Sequence, residues 1–320
     1  MNVDRGQEDF SDAEVEDLRV RLMAFRDANG YSWGQLGIAT DIASSTLSQW
    51  GPGRYAGDNR KVAWKVARFF RSHDERTRLE IDAPDIPHFH PTETSRKIMA
   101  QCSWAQRGKI AVVCGPPGIS KTASFLQYQA THPNVHLGAM NPATRAPGAM
   151  LNKLLKPLGA HQPGSNTQNL MSILCDRLAG SDALLIVDEA QHLTDVSLEV
   201  LRAIHDEIGA GIVFGGNATV LTRLQGGARK AEFAQLFSRV SMPHVYGKPT
   251  ANDVAVLCAA WGVKHPRELE FLAAVAAQPG HLRNLTQVME MATFLASSQG
   301  EDRVLDHLKQ AWTQQSRQAA

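Results

Sequence analysis

A lysine and a threonine at the end of a glycine-bearing loop are the residues of this chain best suited to chemistry. Gly115-Pro116-Pro117-Gly118-Ile119-Ser120-Lys121-Thr122 follows the apolar run 110–114 and precedes a segment of helical character. Strand, glycine-bearing loop, Lys-Thr and helix together spell a nucleoside-triphosphate site. The backbone N–H groups that the loop has wrap phosphate, and the following helix adds the positive end of its dipole. Lys121 can reach the β- and γ-phosphates of ATP, and the Thr122 hydroxyl can hold Mg²⁺. Ser120 stands where the pattern G-x-x-x-x-G-K-[ST] has its second glycine. A Cβ there limits how closely the backbone approaches phosphate, although the serine hydroxyl can itself donate to it.

The second chemical group is Asp188-Glu189, about 70 residues further on. It closes the fully apolar run Leu184-Leu185-Ile186-Val187, which reads as a buried parallel strand. Ligands of open parallel sheets sit at the carboxyl ends of the strands. Asp188 is therefore expected beside the loop, holding the Mg²⁺ shell with Thr122. Glu189 is placed to polarise the attacking water.

These groups need a scaffold, and the sequence supplies one. Candidate strands at 110–114, 135–140, 183–187, 211–215 and 240–245 alternate with helical segments at 121–131, 146–157, 168–179, 195–208 and 228–238. Such alternation predicts a parallel sheet covered on both faces. From Thr250 onward the pattern is purely helical, broken at Gln278-Pro279-Gly280. The expected organisation is a helix-turn-helix domain at 1–80, a linker at 81–95 containing Pro84, Pro87 and Pro91, an ATPase core at 96–248 and a helical lid at 249–320.

The bulk properties exclude several classes. A chain of 320 residues, 43% hydrophobic and 20% charged, is a globular protein with ample core. No apolar run approaches the ~20 residues of a membrane span, and the acidic start is not a signal peptide. Cys102, Cys114, Cys175 and Cys258 lack metal or disulfide spacing and read as reduced thiols of a cytoplasmic protein. His88, His90 and Cys102 fit no common zinc pattern.

Charge is uneven along the chain. Residues 54–78 hold eight basic side chains against three acids, whereas the first seventeen hold seven acids against Arg5. Helical spacing of Val15, Leu18, Leu22 and Phe25 predicts a helix over 12–29. Ser32 reads as the cap of a short helix at 33–39, Thr40–Ala43 as a turn, 44–50 as a third helix and 61–71 as a fourth. Two short helices about a turn resemble the phage repressor and Cro-type helix-turn-helix, whose second helix enters the major groove of double-stranded DNA. Ser44, Ser45, Thr46, Ser48 and Gln49 carry groups suited to phosphates and base edges, and Arg54, Arg60 and Lys61 suit phosphates. A small docking domain is the bland alternative. Gln49 is the only adenine reader in the third helix, and no Arg or Lys there reads guanine. Weak sequence preference is expected.

A five-stranded core followed by a helical lid resembles the AAA+ ATPases. That resemblance implies three further roles. Asn217, after strand 211–215, matches a water-orienting sensor, though it also suits a helix cap. Arg239 matches the arginine finger that reaches a neighbouring subunit's γ-phosphate, with Arg223 and Arg229 as competitors. Arg283 in Gly280-His281-Leu282-Arg283 matches a nucleotide-touching sensor in the lid.

Most of the chain, roughly residues 12–300, is similar to the MuB-like target-DNA activators of Mu-type transposable phages. The resemblance rests on the Ser-Ser-Thr-Leu-Ser helix with Tyr55-Ala56-Gly57-Asp58-Asn59, on the loop 115–122, on Asp188-Glu189-Ala190-Gln191 and on Pro279-Gly280-His281-Leu282-Arg283. Ser120 departs from the family's loop. The resemblance implies an ATP-dependent protein that assembles on duplex DNA as a homo-oligomer, ring or helical filament, and recruits a transposase in the bacterial cytoplasm. Two other readings stay open. One is a helicase loader-type AAA+ ATPase. The other is a sequence-specific regulator using ATP only as a switch, which Glu189, Asn217 and Arg239 argue against.

Overall fold

The computed structural model describes residues 10–82, 89–225 and 230–317. Two units divide the chain, Met1–Pro84 and Asp85–Ala320.

The first unit is all helical: α1 (Asp12–Asn29), α2 (Trp33–Thr40), α3 (Ser44–Trp50) and α4 (Asn59–Asp82). Ser11 with Glu14 and Ser32 with Gln35 form capping boxes that start α1 and α2. Val15, Leu22, Leu36, Leu47, Trp50 and Val66 bury the shared core. Gly37 is required at the turn, because a Cβ there would lie 2.8 Å from the Ile42 carbonyl oxygen. Helix α4 is longer than the stretch 61–71 read from sequence. Asp58 accepts the Lys61 N–H at 3.0 Å and starts it two residues early. It runs on to Asp82.

The second unit begins with α5 (Glu93–Ala105). It continues through β1 (Ile110–Cys114), α6 (Lys121–Thr131), β2 (Val135–Ala139), α7 (Pro147–Leu155) and α8 (Thr167–Leu178). Next come β3 (Leu184–Asp188), α9 (Asp195–Ile208), β4 (Gly211–Gly216), α10 (Ala218–Leu224), α11 (Lys230–Arg239) and β5 (Val240–Val245). The strands pair in the order β2-β3-β4-β1-β5, every pair parallel. Strands β1, β3 and β4 are buried along their whole length. Their side chains alternate between two cores: Val112, Leu185 and Phe214 on one face, Val113, Ile186 and Val213 on the other.

The lid comprises α12 (Ala251–Ala260), α13 (Pro266–Ala277), α14 (His281–Gln299) and α15 (Leu305–Arg317), packed about Cys258, Leu272, Leu285 and Met289. A buried carboxylate joins it to the core. Asp253 accepts from the Thr94 N–H at 2.9 Å and from Thr94 Oγ1 at 2.6 Å, linking α12 to the start of α5. Among the described residues no helix is long and apolar enough to cross a membrane.

Candidate active site

Strand order decides what meets at the carboxyl edge of the sheet. Between β1, which leads into the phosphate loop, and β3, which ends in Asp188, lies β4. The three strand ends therefore bring the loop, the acid pair and Asn217 to one place. Thr122 Oγ1 donates to Asp188 Oδ2 at 2.6 Å, and the Glu189 N–H donates to Asp188 Oδ1 at 2.9 Å. Burial pushes the Asp188 carboxyl above its ordinary value, and these two hydrogen bonds pull the other way.

Lys121 is 8% exposed, and its ammonium donates to the carbonyls of Gly115 and Pro116, each at 2.8 Å. Burial pushes its amine below the ordinary lysine value, opposed by the nearby Asp188 and Glu189 carboxylates. The loop thus holds a desolvated cation. Ser120 takes the left-handed conformation, φ 71, that the glycine of the usual pattern supplies. Its carbonyl accepts from both the N–H and the hydroxyl of Ser124, at 2.9 and 2.7 Å, so the first turn of α6 pins the strained residue. Gly118 is also left-handed, φ 81, and its carbonyl accepts the Leu282 N–H at 3.0 Å.

A cavity of about 640 Å³ opens between the loop and the lid. Lys121, Thr122 and Glu189 line its core side, and Arg283, Gln287 and Glu290 line its lid side. Phe89 and His90 close it from the segment before α5. Thr94, in the first turn of α5, instead donates to Asp253. Residues 283, 287 and 290 recur at helical spacing, a signal that was present in the sequence. Gln191 had no such signal. Its Nε2 donates to Glu189 Oε2, and its Oε1 accepts the Asn217 N–H at 3.3 Å.

The other singled-out residues fall as follows. Asn217 caps α10, its Oδ1 accepting from the Thr219 N–H at 3.0 Å and from Thr219 Oγ1 at 2.5 Å. Arg239 pairs with Asp206 at 2.5 Å and donates to the Gln235 carbonyl at 2.7 Å. It precedes Val240, whose register partner is Ile110 at the start of β1. Arg239 therefore lies at the opposite end of the sheet from its own phosphate loop. Arg223 pairs with Asp195 at 2.6 Å and donates to the Gln191 carbonyl at 3.2 Å. Arg229 lies outside the described residues.

In the N-terminal unit, Ser44, Ser45 and Gln49 are exposed on α3, while Thr46 and Ser48 are half-buried. Arg54, Arg60 and Lys61 are exposed, with Arg60 3.9 Å from Asp12.

Thr122 and Asp188 offer hard oxygen donors, the type Mg²⁺ takes alongside phosphate oxygens and water. A parallel sheet in which a central strand separates phosphate loop from acid pair, with a helical lid over both, is the AAA+ arrangement, and the chain is an ATPase of that class. Residues 105–224 match the family described as AAA domain, and residues 238–315 match Mu B transposition protein, C terminal. The chain is 31% identical over 299 residues to ATP-dependent target DNA activator B of Escherichia phage Mu, covering 93% of this chain and 95% of that protein. It is 31% identical over 256 residues to Mu-like prophage FluMu DNA transposition protein B of Haemophilus influenzae, covering 79% and 88%. Among solved structures, Cdc6p from Pyrobaculum aerophilum shares the fold at a TM-score of 0.51 and 15% identity, over 69% of this chain and 66% of that one. The chain belongs to the Mu B transposition protein family, that of the ATP-dependent target DNA activators.

Proposed function

We propose that this chain binds Mg·ATP in the cavity between phosphate loop and lid, hydrolyses it, and uses the cycle to assemble on duplex DNA and activate a transposase. The observation that carries the hydrolysis reading is the 2.6 Å bond from Thr122 to Asp188, with Glu189 next in the chain on the cavity wall. Lys121 leaves its loop carbonyls to meet the β- and γ-phosphates, while the loop amides and the α6 dipole take up the remaining charge. Mg²⁺, held by Thr122 and Asp188, would neutralise charge developing on the phosphate oxygens. Glu189 accepts a proton from the attacking water, Asn217 helps orient that water, and Arg283 anchors the nucleotide to the lid.

Arg239 acts in trans in this reading. It is remote from its own loop, so it serves a neighbouring copy once its pair with Asp206 opens. Hydrolysis then depends on assembly, whether ring or filament. The N-terminal unit contributes DNA contacts through Ser44, Ser45, Thr46, Ser48 and Gln49 on α3 and through Arg54, Arg60 and Lys61. The short polar side chains favour phosphate contacts over base readout. The work takes place in the cytoplasm of a bacterial host, with the transposase as partner.

Steady-state hydrolysis of ATP with duplex DNA present tests the site. Glu189→Gln should bind ATP as the parent does and lose turnover, whereas Lys121→Ala should lose ATP binding itself. Parent-like turnover in Glu189→Gln refutes the catalytic assignment, and parent-like affinity in Lys121→Ala refutes the phosphate-loop assignment.

A further inference from the structure

We infer that Gln191 is a positioning residue for hydrolysis: its side-chain amide holds the Glu189 carboxylate against the end of β4, beside Asn217. The inference rests on the reading of Glu189 as the group that takes the water proton.

Gln191 uses both ends of one amide. Its Nε2 donates to Glu189 Oε2, and its Oε1 accepts the Asn217 N–H at 3.3 Å. The carboxylate after β3 is thereby linked, through one amide, to the backbone of the residue after β4. Only Oε2 is taken by Gln191, which leaves Oε1 for the water. A neutral amide sets direction without adding the positive charge that Lys or Arg would bring to the base.

The neighbouring backbone makes room for this bridge. Gly216 precedes Asn217, and a Cβ there would overlap Gln191 Oε1. No side chain other than hydrogen lets the amide oxygen cross at that point. The Gln191 main chain is pinned as well, since its carbonyl accepts from Arg223 Nη1 at 3.2 Å and Arg223 is paired with Asp195 at 2.6 Å. Glu189 is left-handed, φ 55, with its N–H bound by Asp188. Both main chains are therefore fixed, and the remaining freedom is the rotation of the Glu189 side chain. Gln191 removes that freedom. Ordering such a side chain costs entropy at each encounter unless a neighbour has already paid it.

The full chain, with random-sequence duplex DNA and Mg·ATP, provides the test. Gln191→Glu keeps the length and an acceptor for the Asn217 N–H, but faces Glu189 with a like charge. Gln191→Met keeps the length and loses both bonds. Turnover, KM and the affinity for a fluorescent ATP analogue are measured beside Glu189→Gln. In both Gln191 variants kcat is expected to fall on the order of 10-fold to 100-fold. Analogue affinity and thermal midpoint should stay those of the parent. Parent-like kcat in Gln191→Glu overturns the inference, because the donor to Glu189 would then be dispensable. A faster variant overturns it too, as does a kcat loss matched by an equal loss of affinity. Glu189→Gln separates the two levels. If it is inactive while the Gln191 variants are parent-like, only the role of Gln191 fails. If it turns over at the parent rate, the reading of Glu189 fails first.

Discussion

The Leu282 N–H donates to the Gly118 carbonyl at 3.0 Å, so the first turn of the lid helix α14 is bonded to the middle of the phosphate loop. The contact is backbone to backbone and leaves no room for a side chain. A Cβ on Gly118 would overlap the Gly280 carbonyl oxygen, and φ 81 disfavours any L residue there. Gly118→Ala should raise the Kd for ATP at least about tenfold and cost about 2 kcal/mol of stability. ATP titration and urea unfolding check this. Parent-like values in both would mean that loop and lid separate without consequence.

Ser120 departs in the opposite sense. It is a non-glycine residue held at φ 71, and its fixed neighbour Ser124 bonds only its carbonyl. Ser120→Gly keeps those bonds and relieves the left-handed strain, partly offset by a more flexible unfolded chain. A net gain of about 0.5–1 kcal/mol is expected, with ATP affinity equal or tighter. Weaker ATP binding would show that the serine hydroxyl itself donates to phosphate.

Asp188 should weaken the ligand-free fold. Burial holds its carboxyl above the ordinary value despite the bonds from Thr122 and Glu189. A raised carboxyl costs stability as pH rises past its unfolded value, and the cost is complete above its folded value. Asp188→Asn should therefore raise the thermal midpoint of the nucleotide-free protein at neutral pH while abolishing turnover. A lower midpoint would mean that the two hydrogen bonds outweigh burial.

Asp253 behaves in the reverse way. Burial pushes its carboxyl up, but the bonds from Thr94 and Thr250 outweigh this and leave it below the ordinary value. Its stabilisation is complete above the unfolded carboxylate value and is lost as pH falls through the lower folded one. Asp253→Asn should cost about 1–3 kcal/mol at neutral pH and flatten the acid limb of stability against pH. Urea midpoints across the acid range decide it, and an unchanged acid limb would contradict the sign.

The fold was legible where burial is two-sided. Runs such as 110–114 and 184–187 are apolar at every position, which only a covered parallel strand needs. Helix α5 is poorly marked in the sequence, because Ile98, Cys102 and Ala105 form a modest stripe directly after a proline-bearing stretch. Helix α10 was missed for brevity, with only Val220 and Leu224 buried in its seven residues. Lys121-Thr122 and Asp188-Glu189 are contiguous pairs and stand out in the chain. Their distance does not, since it follows from β4 lying between β1 and β3. The partnerships of Gln191 with Glu189 and of Asp206 with Arg239 are not legible, because neither spacing differs from that of other polar residues that never meet.

ATP-controlled, sequence-tolerant DNA assembly is the central feature of the proposed function. Fluorescence anisotropy of a labelled random-sequence duplex, titrated with the Glu189→Gln chain with and without Mg·ATP, measures it most directly. Binding that requires ATP, is the same for unrelated duplexes and weakens steeply with salt is the predicted result. Tight binding without ATP that discriminates among duplexes would contradict it and identify a sequence-specific regulator instead.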